Sequence, residues 1–185
     1  MSDDRDSGAA ESHAGSQPEN AESETGHERG EASELSLRDA GENDLDAIWG
    51  IESSVFGAEA WSREMMREEL TAPHRRYLAL VDGSGAVLGY AGLLAVGTEG
   101  DVQTIAVSPG ARGEGHGRRL MNALLDEAER SGVREVFLEV RADNPVAQTL
   151  YRSLGFEELG VRPRYYQPDG VDAVIMRLEI RKRCS

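Results

Sequence analysis

Between an apolar run, Val102 to Val107, and a helical stripe that starts at Leu120 lies the segment Arg112 to Gly117, six residues reading RGEGHG with three glycines. Strand, glycine loop and helix in that order constrain the chain more than any other stretch. Glycine lets backbone amides approach an anion with no side chain in the way, and the first turn of a helix offers unpaired N–H groups at its positive dipole end. The ligand this predicts carries a phosphate or pyrophosphate, and Arg112 beside the glycines suits the same charge.

The flanking sequence alternates strands and helices. Leu35 to Arg38 reads as a short strand, and Asn43 or Asp44 caps a helix with Leu45, Ile48, Trp49, Val55 and Phe56 at helical spacing. Ser62 caps a second helix that runs through Leu70 and stops near Pro73. Tyr77 to Val81 and Val87 to Val96 form a hairpin across the turn Asp82 to Gly85. After the glycine loop, Leu120, Met121, Leu124, Leu125 and Ala128 share one helical stripe, which Gly132 ends. Glu135 to Arg141 alternates Val136, Leu138 and Val140 with Phe137, Glu139 and Arg141, as a strand does. Asn144 then caps a helix with Pro145 at its first position and Ala147, Leu150, Tyr151 and Leu154 facing inward. Phe156 to Val161 and Val171 to Leu178 make a last strand pair, joined by a loop from Arg162 to Gly170.

Composition bounds the partners. Residues 1 to 34 hold ten acidic residues against two arginines and no Val, Ile, Leu, Phe, Tyr, Trp or Cys. Too little apolar surface is available there to offset chain entropy, so the segment reads as a disordered acidic tail. It lacks a signal-peptide pattern, and the chain has no transmembrane run, so a cytoplasmic protein without a membrane partner is expected. Residues 35 to 180 form one domain, and 181 to 185 a short basic tail. The net charge of −14 argues against nucleic acid as a partner. Lys182 is the one lysine among 20 basic residues. Either a high-salt cytoplasm or a GC-rich genome accounts for that balance. Cys184 stands alone, and the four histidines show no ligand spacing, so no metal is expected.

Two nucleotide readings compete for the glycine loop. A P-loop needs Gly-Lys followed by Ser or Thr after four spacers, which the chain lacks. A dinucleotide fingerprint needs Gly or Ala where Arg118 or Leu120 stands, although a strand bearing an acid follows at the right distance. That alternative is weakened and stays open on spacing alone.

Four segments together carry a resemblance: Ile105-Ala106-Val107, the R-x-x-G-x-G of Arg112, Gly115 and Gly117, LEVRADN from Leu138 to Asn144, and LYRSLGF from Leu150 to Phe156. They resemble the GNAT superfamily of acetyl-CoA-dependent N-acetyltransferases. With Arg164-Tyr165-Tyr166 they are similar to its RimI branch, which acetylates protein N-termini. The resemblance covers about residues 35 to 180. It implies an α/β GNAT fold: a mixed, mostly antiparallel central sheet, splayed where acetyl-CoA enters, with helices on both faces.

The same resemblance implies roles. Ile105, Ala106 and Val107 would bond the pantetheine arm through their backbone, while Arg112, Gly113, Glu114, Gly115, His116, Gly117 and Arg118 would surround the pyrophosphate. Asn144 would contact the cofactor arm, Glu139 matches the general base and Tyr151 the general acid. Phe56, Trp61, Tyr165 and Tyr166 would line the acceptor site. The partners implied are acetyl-CoA and a protein N-terminus, such as that of a ribosomal protein; monomer and weak dimer both remain open.

Chemistry supports the two catalytic assignments independently. Attack of an amine on a thioester needs a neutral amine and a protonated leaving thiol. A partly desolvated Glu139 would have raised basicity, and a phenol near 10 is close to matched with a thiol near 8.5. An α-amine with pKa about 7.7 to 8.0 is roughly a tenth neutral at pH 7, whereas a lysine near 10.4 is neutral in about one molecule in two thousand. A weak base suffices for the former. Branch members often read F-P-W-S where this chain separates Phe56 from Trp61-Ser62 by Gly57, Ala58, Glu59 and Ala60. Glu59 there suggests a preference for uncharged or basic peptides. Two other expectations stay open: a GNAT acting on a small amine such as a polyamine or aminoglycoside, and a non-catalytic acyl-CoA-binding or partner-binding module.

Overall fold

The computed structural model describes residues 34 to 180; the acidic tail read in residues 1 to 34 lies outside them save for Glu34, as does the basic end. Seven strands and four helices form within that span: β1 (Ser36–Asp39), α1 (Leu45–Phe56), α2 (Arg63–Thr71), β2 (Arg75–Val81), β3 (Val87–Val96), β4 (Glu99–Val107), α3 (His116–Arg130), β5 (Glu135–Arg141), α4 (Pro145–Ser153), β6 (Glu157–Tyr166) and β7 (Val171–Glu179). The strands make one sheet in the order β1-β2-β3-β4-β5-β7-β6. Every neighbouring pair is antiparallel except β4 and β5, which α3 connects as a parallel crossover. The mixed, mostly antiparallel sheet expected from the sequence is the one found.

Helices cover both faces. On one, Leu120, Met121, Leu124 and Ala128 of α3 and Tyr151 of α4 bury against Leu80, Leu93, Val136, Leu138 and Met176 of the sheet. On the other, Leu45, Ile48 and Ile51 of α1 and Met66 of α2 pack over Tyr77, Tyr90 and Ala106. Each fully buried side chain of this size contributes roughly 1.5–3 kcal/mol relative to exposure. The stripes read from sequence are therefore the faces that bury. At Gly92 a Cβ would lie 2.4 Å from the Tyr77 ring, so only glycine allows that ring to cross the β2–β3 pair.

Caps set the helix entrances. The Ser62 hydroxyl accepts from Met65 N at 3.2 Å and Asn144 Oδ1 from Ala147 N at 3.1 Å, as expected. Asp44 does otherwise. Its carboxylate accepts two bonds from Arg38, at 2.6 and 2.8 Å, and one from Gly41 N at 3.0 Å, so it ties β1 to the turn and makes no side-chain cap for α1. These bonds, that from Arg38 foremost, hold its carboxyl below the usual range.

The loop expected over Arg162 to Gly170 is mostly strand. β6 runs on to Tyr166, with its register against β7 broken between Arg162 and Tyr166. Pro163 has no N–H for the ladder, and Arg164 takes a φ of 52°, with its N–H donating to Asp172 Oδ1 at 2.8 Å. A wide bulge results, where the sequence suggested a loop.

Candidate active site

The parallel pair opens the site. β4 and β5 share a ladder only where Glu99 to Asp101 meet Glu135 to Phe137. Beyond it the strands part, leaving Val102 to Val107 without a strand partner on that side. Gly92 pairs with Thr104 and Leu93 with Val102, so Gln103 is an extra residue that bulges β4 at the point of divergence. The gap is a cleft of about 1100 Å³.

One end of the cleft is built from backbone. Ile105, Ala106, Val107, Arg112, Gly117 and Asn144 line it. Gly113 and Gly115 adopt φ values of 87° and 79°, the left-handed region that favours glycine. The helix's first backbone bond, Arg119 N to Gly115 O, spans 3.0 Å. The N–H groups of residues 113 to 118 donate to no acceptor among the described residues, and open space surrounds the Cβ positions of both glycines. These free amides lead into a 15-residue helix, and Gly117 brings that helix's first turn to the cleft, an arrangement that suits an anion such as a diphosphate. Arg112 Nε is anchored to Val107 O at 3.2 Å.

Not every residue expected there faces the cleft. Arg118 turns its guanidinium to Ser153 Oγ at 2.7 Å, and with Gly115 it lines a separate groove on the outer side of α3. His116 is buried, its Nε2 3.2 Å from Glu114 Oε2. The loop's contribution is its amides, with these side chains turned away.

Glu139 and Tyr151 also line the cleft. Tyr151 sits on the inner face of α4, 6 % exposed, against Phe156 at 5.9 Å between ring centroids. Its hydroxyl meets no hydrogen-bond partner among the described residues, and burial pushes the phenol up to about 12. The close match with a thiol expected from sequence does not hold. The Glu139 side chain is 32 % exposed and its Oε1 accepts from Arg162 Nη1 at 3.1 Å. The carboxylate is partly desolvated, as the expected role needs, and is also paired with a guanidinium.

The rest of the lining comes from side chains of separate segments. Phe56, Trp61, Tyr165 and Tyr166 all belong to it, the two tyrosines edge to face at 5.1 Å. Arg141, two residues after Glu139 on the same strand face, reaches among them. It makes a two-pronged bond with Asp143, both distances 2.9 Å, donates to Glu59, approaches Asp169 at 3.5 Å and lies 5.5 Å over the Tyr166 ring. The hydrogen bonds it donates to Asp143 and then to Glu59 push the guanidinium further up from its already high value. Glu59 is therefore a compensated charge, which removes the basis for reading a peptide preference from it alone.

Sequence reading missed a second cluster. Glu52, on α1, is 2 % exposed, yet it borders the cleft. Tyr90 donates a hydrogen bond to its Oε2, Thr104 Oγ1 lies 3.5 Å from the same oxygen, and Trp61 N donates to Oε1 at 3.0 Å. Burial, followed by the Glu52 charge, pushes the Tyr90 phenol up. The available signal was spacing, since Glu52 falls four residues after Ile48 and three before Val55, inside the buried stripe.

Comparison with known proteins agrees with this geometry. Residues 44 to 156 match the model of the acetyltransferase (GNAT) family. The N-alpha-acetyltransferase RimI of Mycobacterium tuberculosis is 45 % identical over 132 residues, covering 69 % of this chain and 81 % of the relative. The ribosomal protein bS18-alanine N-acetyltransferase of Escherichia coli is 39 % identical over 140 residues, covering 74 % of this chain and 92 % of that protein. A crystal structure of the Escherichia coli ribosomal-protein-alanine N-acetyltransferase superposes with a TM-score of 0.73 at 32 % identity, covering 82 % of this chain and 99 % of that one.

Proposed function

This chain belongs to the acetyltransferase (GNAT) family, and we propose that its acceptor is the N-terminal α-amine of a protein, such as a ribosomal protein in the cytoplasm. It is an acetyl-CoA-dependent N-acetyltransferase. The observation that carries the acceptor reading is a single cleft with free amides at one end, Glu139 and Tyr151 in its lining, and an aromatic mouth at the other. Relatives bearing the same activity in their names support it.

Acetyl-CoA supplies an activated acyl thioester, and the chain's residues do the rest. The amides of the glycine loop and Arg112 hold the diphosphate, while the unpaired edge of Ile105 to Val107 bonds the pantetheine arm. Asn144 already accepts from Ala147 N through Oδ1, so its amide nitrogen is what remains to meet that arm. Glu139 takes the proton from the attacking amine through water, with Arg162 bonded to its Oε1. Tyr151 presents an O–H that stays protonated at every physiological pH. Full transfer from a phenol at about 12 to a thiol at about 8.5 is uphill by about 5 kcal/mol. The phenol's role is thus a hydrogen bond to the sulfur as the C–S bond breaks, and the departing thiolate takes up the proton lost by the amine by way of Glu139 and water.

A polyamine or aminoglycoside would call for carboxylates free to face it, and those at the mouth are engaged: Glu59, Asp143 and Asp169 share Arg141, Glu139 bonds Arg162, and Glu52 accepts from Tyr90 and the Trp61 amide. That engagement favours a peptide. The test is incubation with acetyl-CoA and a panel of peptides varied at the first residue, alongside polyamines and aminoglycosides, followed by mass-spectrometric location of the acetyl group. Acetyl on peptide α-amines is expected. Modification confined to small amines or lysine side chains overturns the assignment, and binding of acetyl-CoA without turnover of any amine favours the non-catalytic module.

A further inference from the structure

The charged cluster at the mouth has no part in the steps above, yet it joins every segment that forms the mouth. Arg141 ends β5. Glu59 belongs to the connection between α1 and α2, Asp143 to the turn before α4, Tyr166 to the end of β6, and Asp169 to the β6–β7 turn. One guanidinium touches all four, through bonds to Asp143 and Glu59, a 3.5 Å ion pair with Asp169 and the Tyr166 ring face. Resting on the peptide-acetylating reading above, we propose that Arg141 is the positioning residue of the acceptor mouth: it joins the α1–α2 connection to the β6–β7 turn, and so sets peptide affinity without entering the chemistry.

Three features support this. Guanidinium is the side chain suited to the task, since its rigid fork offers five donors and its flat face stacks on an aromatic ring, whereas an ammonium is a single hydrated point charge. The side chain is 23 % exposed and Glu59's 16 %, so the contact is largely screened from water. Three carboxylates, Glu59, Asp143 and Asp169, surround one cation. Without that cation they repel, and the walls they belong to part. Arg141 shares its strand face with Glu139 at a spacing of two residues, so the same strand end fixes the distance between mouth and base.

The experiment compares the unaltered protein with Arg141→Gln, Arg141→Lys and the milder Glu59→Gln, which releases one wall only. Steady-state rates are taken against acetyl-CoA and peptide separately, and amide hydrogen exchange is followed over residues 57 to 62 and 165 to 170. For Arg141→Gln the peptide KM is expected to rise about tenfold, with kcat and the acetyl-CoA KM changing less than about threefold. Exchange should quicken in both segments while β5 and β7 keep their protection. Arg141→Lys should fail to restore peptide KM, and Glu59→Gln should loosen residues 57 to 62 alone. A fall in kcat at unchanged peptide KM, full rescue by lysine, or unchanged exchange in both segments overturns the proposal. Should the unaltered protein acetylate no peptide, the proposed function fails, while the exchange measurement still decides the role of Arg141.

Discussion

The two ends of the cleft are built in different ways. At the proposed donor end the groups on offer are free backbone amides and a strand edge unpaired among the described residues, contributed by one continuous stretch, Ile105 to Arg118. At the acceptor end they are side chains from four segments that meet only in the folded chain, held by Arg141. A backbone site depends on conformation and tolerates changes of side chain. A side-chain site depends on charge and shape, and one substitution can rearrange it. This difference suits an enzyme with one invariant donor and a peptide acceptor whose sequence varies.

Between the ends lie the groups that serve both, and their loss should have the largest effect. Tyr151→Phe removes the O–H proposed to bond the leaving sulfur, with an expected fall in kcat of about 10²–10³. Acetyl-CoA affinity by calorimetry should not move; if it does, Tyr151 belongs to the donor end. Glu139→Gln should lower kcat by about 10² at neutral pH, with the deficit shrinking as pH rises and the free amine becomes abundant. A deficit that stays constant with pH would remove Glu139 as the base.

Next comes a sharpening of the donor end. Gly115→Ala forces an L-residue to a φ of 79°, at a cost of about 1 kcal/mol or more. Acetyl-CoA KM should rise about tenfold while peptide KM holds. At the acceptor end, Tyr165→Ala should raise peptide KM about threefold at unchanged acetyl-CoA KM, as expected of a half-exposed ring at a rim.

Tyr151 also links the comparison to stability. Its folded phenol is raised to about 12 against about 10 unfolded, so the unfolded chain releases its proton first as pH rises. Its stabilising contribution is complete below about pH 10 and is lost between there and about 12. Urea titrations at pH 9 and pH 11 should show Tyr151→Phe losing about 1 kcal/mol less than the unaltered protein over that interval. An equal loss in both would mean that the phenol is not as deeply held as the structure places it.

The same contrast explains what could be read from sequence. Strand, glycine loop and helix are local patterns, so α3, β5 and the Asn144 cap fell where periodicity put them, while β4 begins at Glu99, three residues before the apolar run. The donor end needs little else. Arg141 and Glu59 were visible as residues and unreadable as a pair, because pairing across the sheet depends on how the α1–α2 connection and the β6–β7 turn fold back. Asp44 was read as a cap because aspartate before a helical stripe commonly is one; Arg38 competes for its oxygens and wins. The extension of β6 to Tyr166 escaped notice because Pro163 usually ends a strand, and here sits in a bulge on an edge strand instead.

The most direct measurement pairs one lesion from each end: Gly115→Ala, Arg141→Gln and the double variant, with KM for acetyl-CoA and for an α-amine peptide determined in each. If a backbone-built donor end and a side-chain-built acceptor end act independently, each single variant moves its own constant about tenfold and the double variant shows both changes multiplied, within about a factor of two. A single lesion that moves both constants, or a double variant no worse than either single one, would contradict the account.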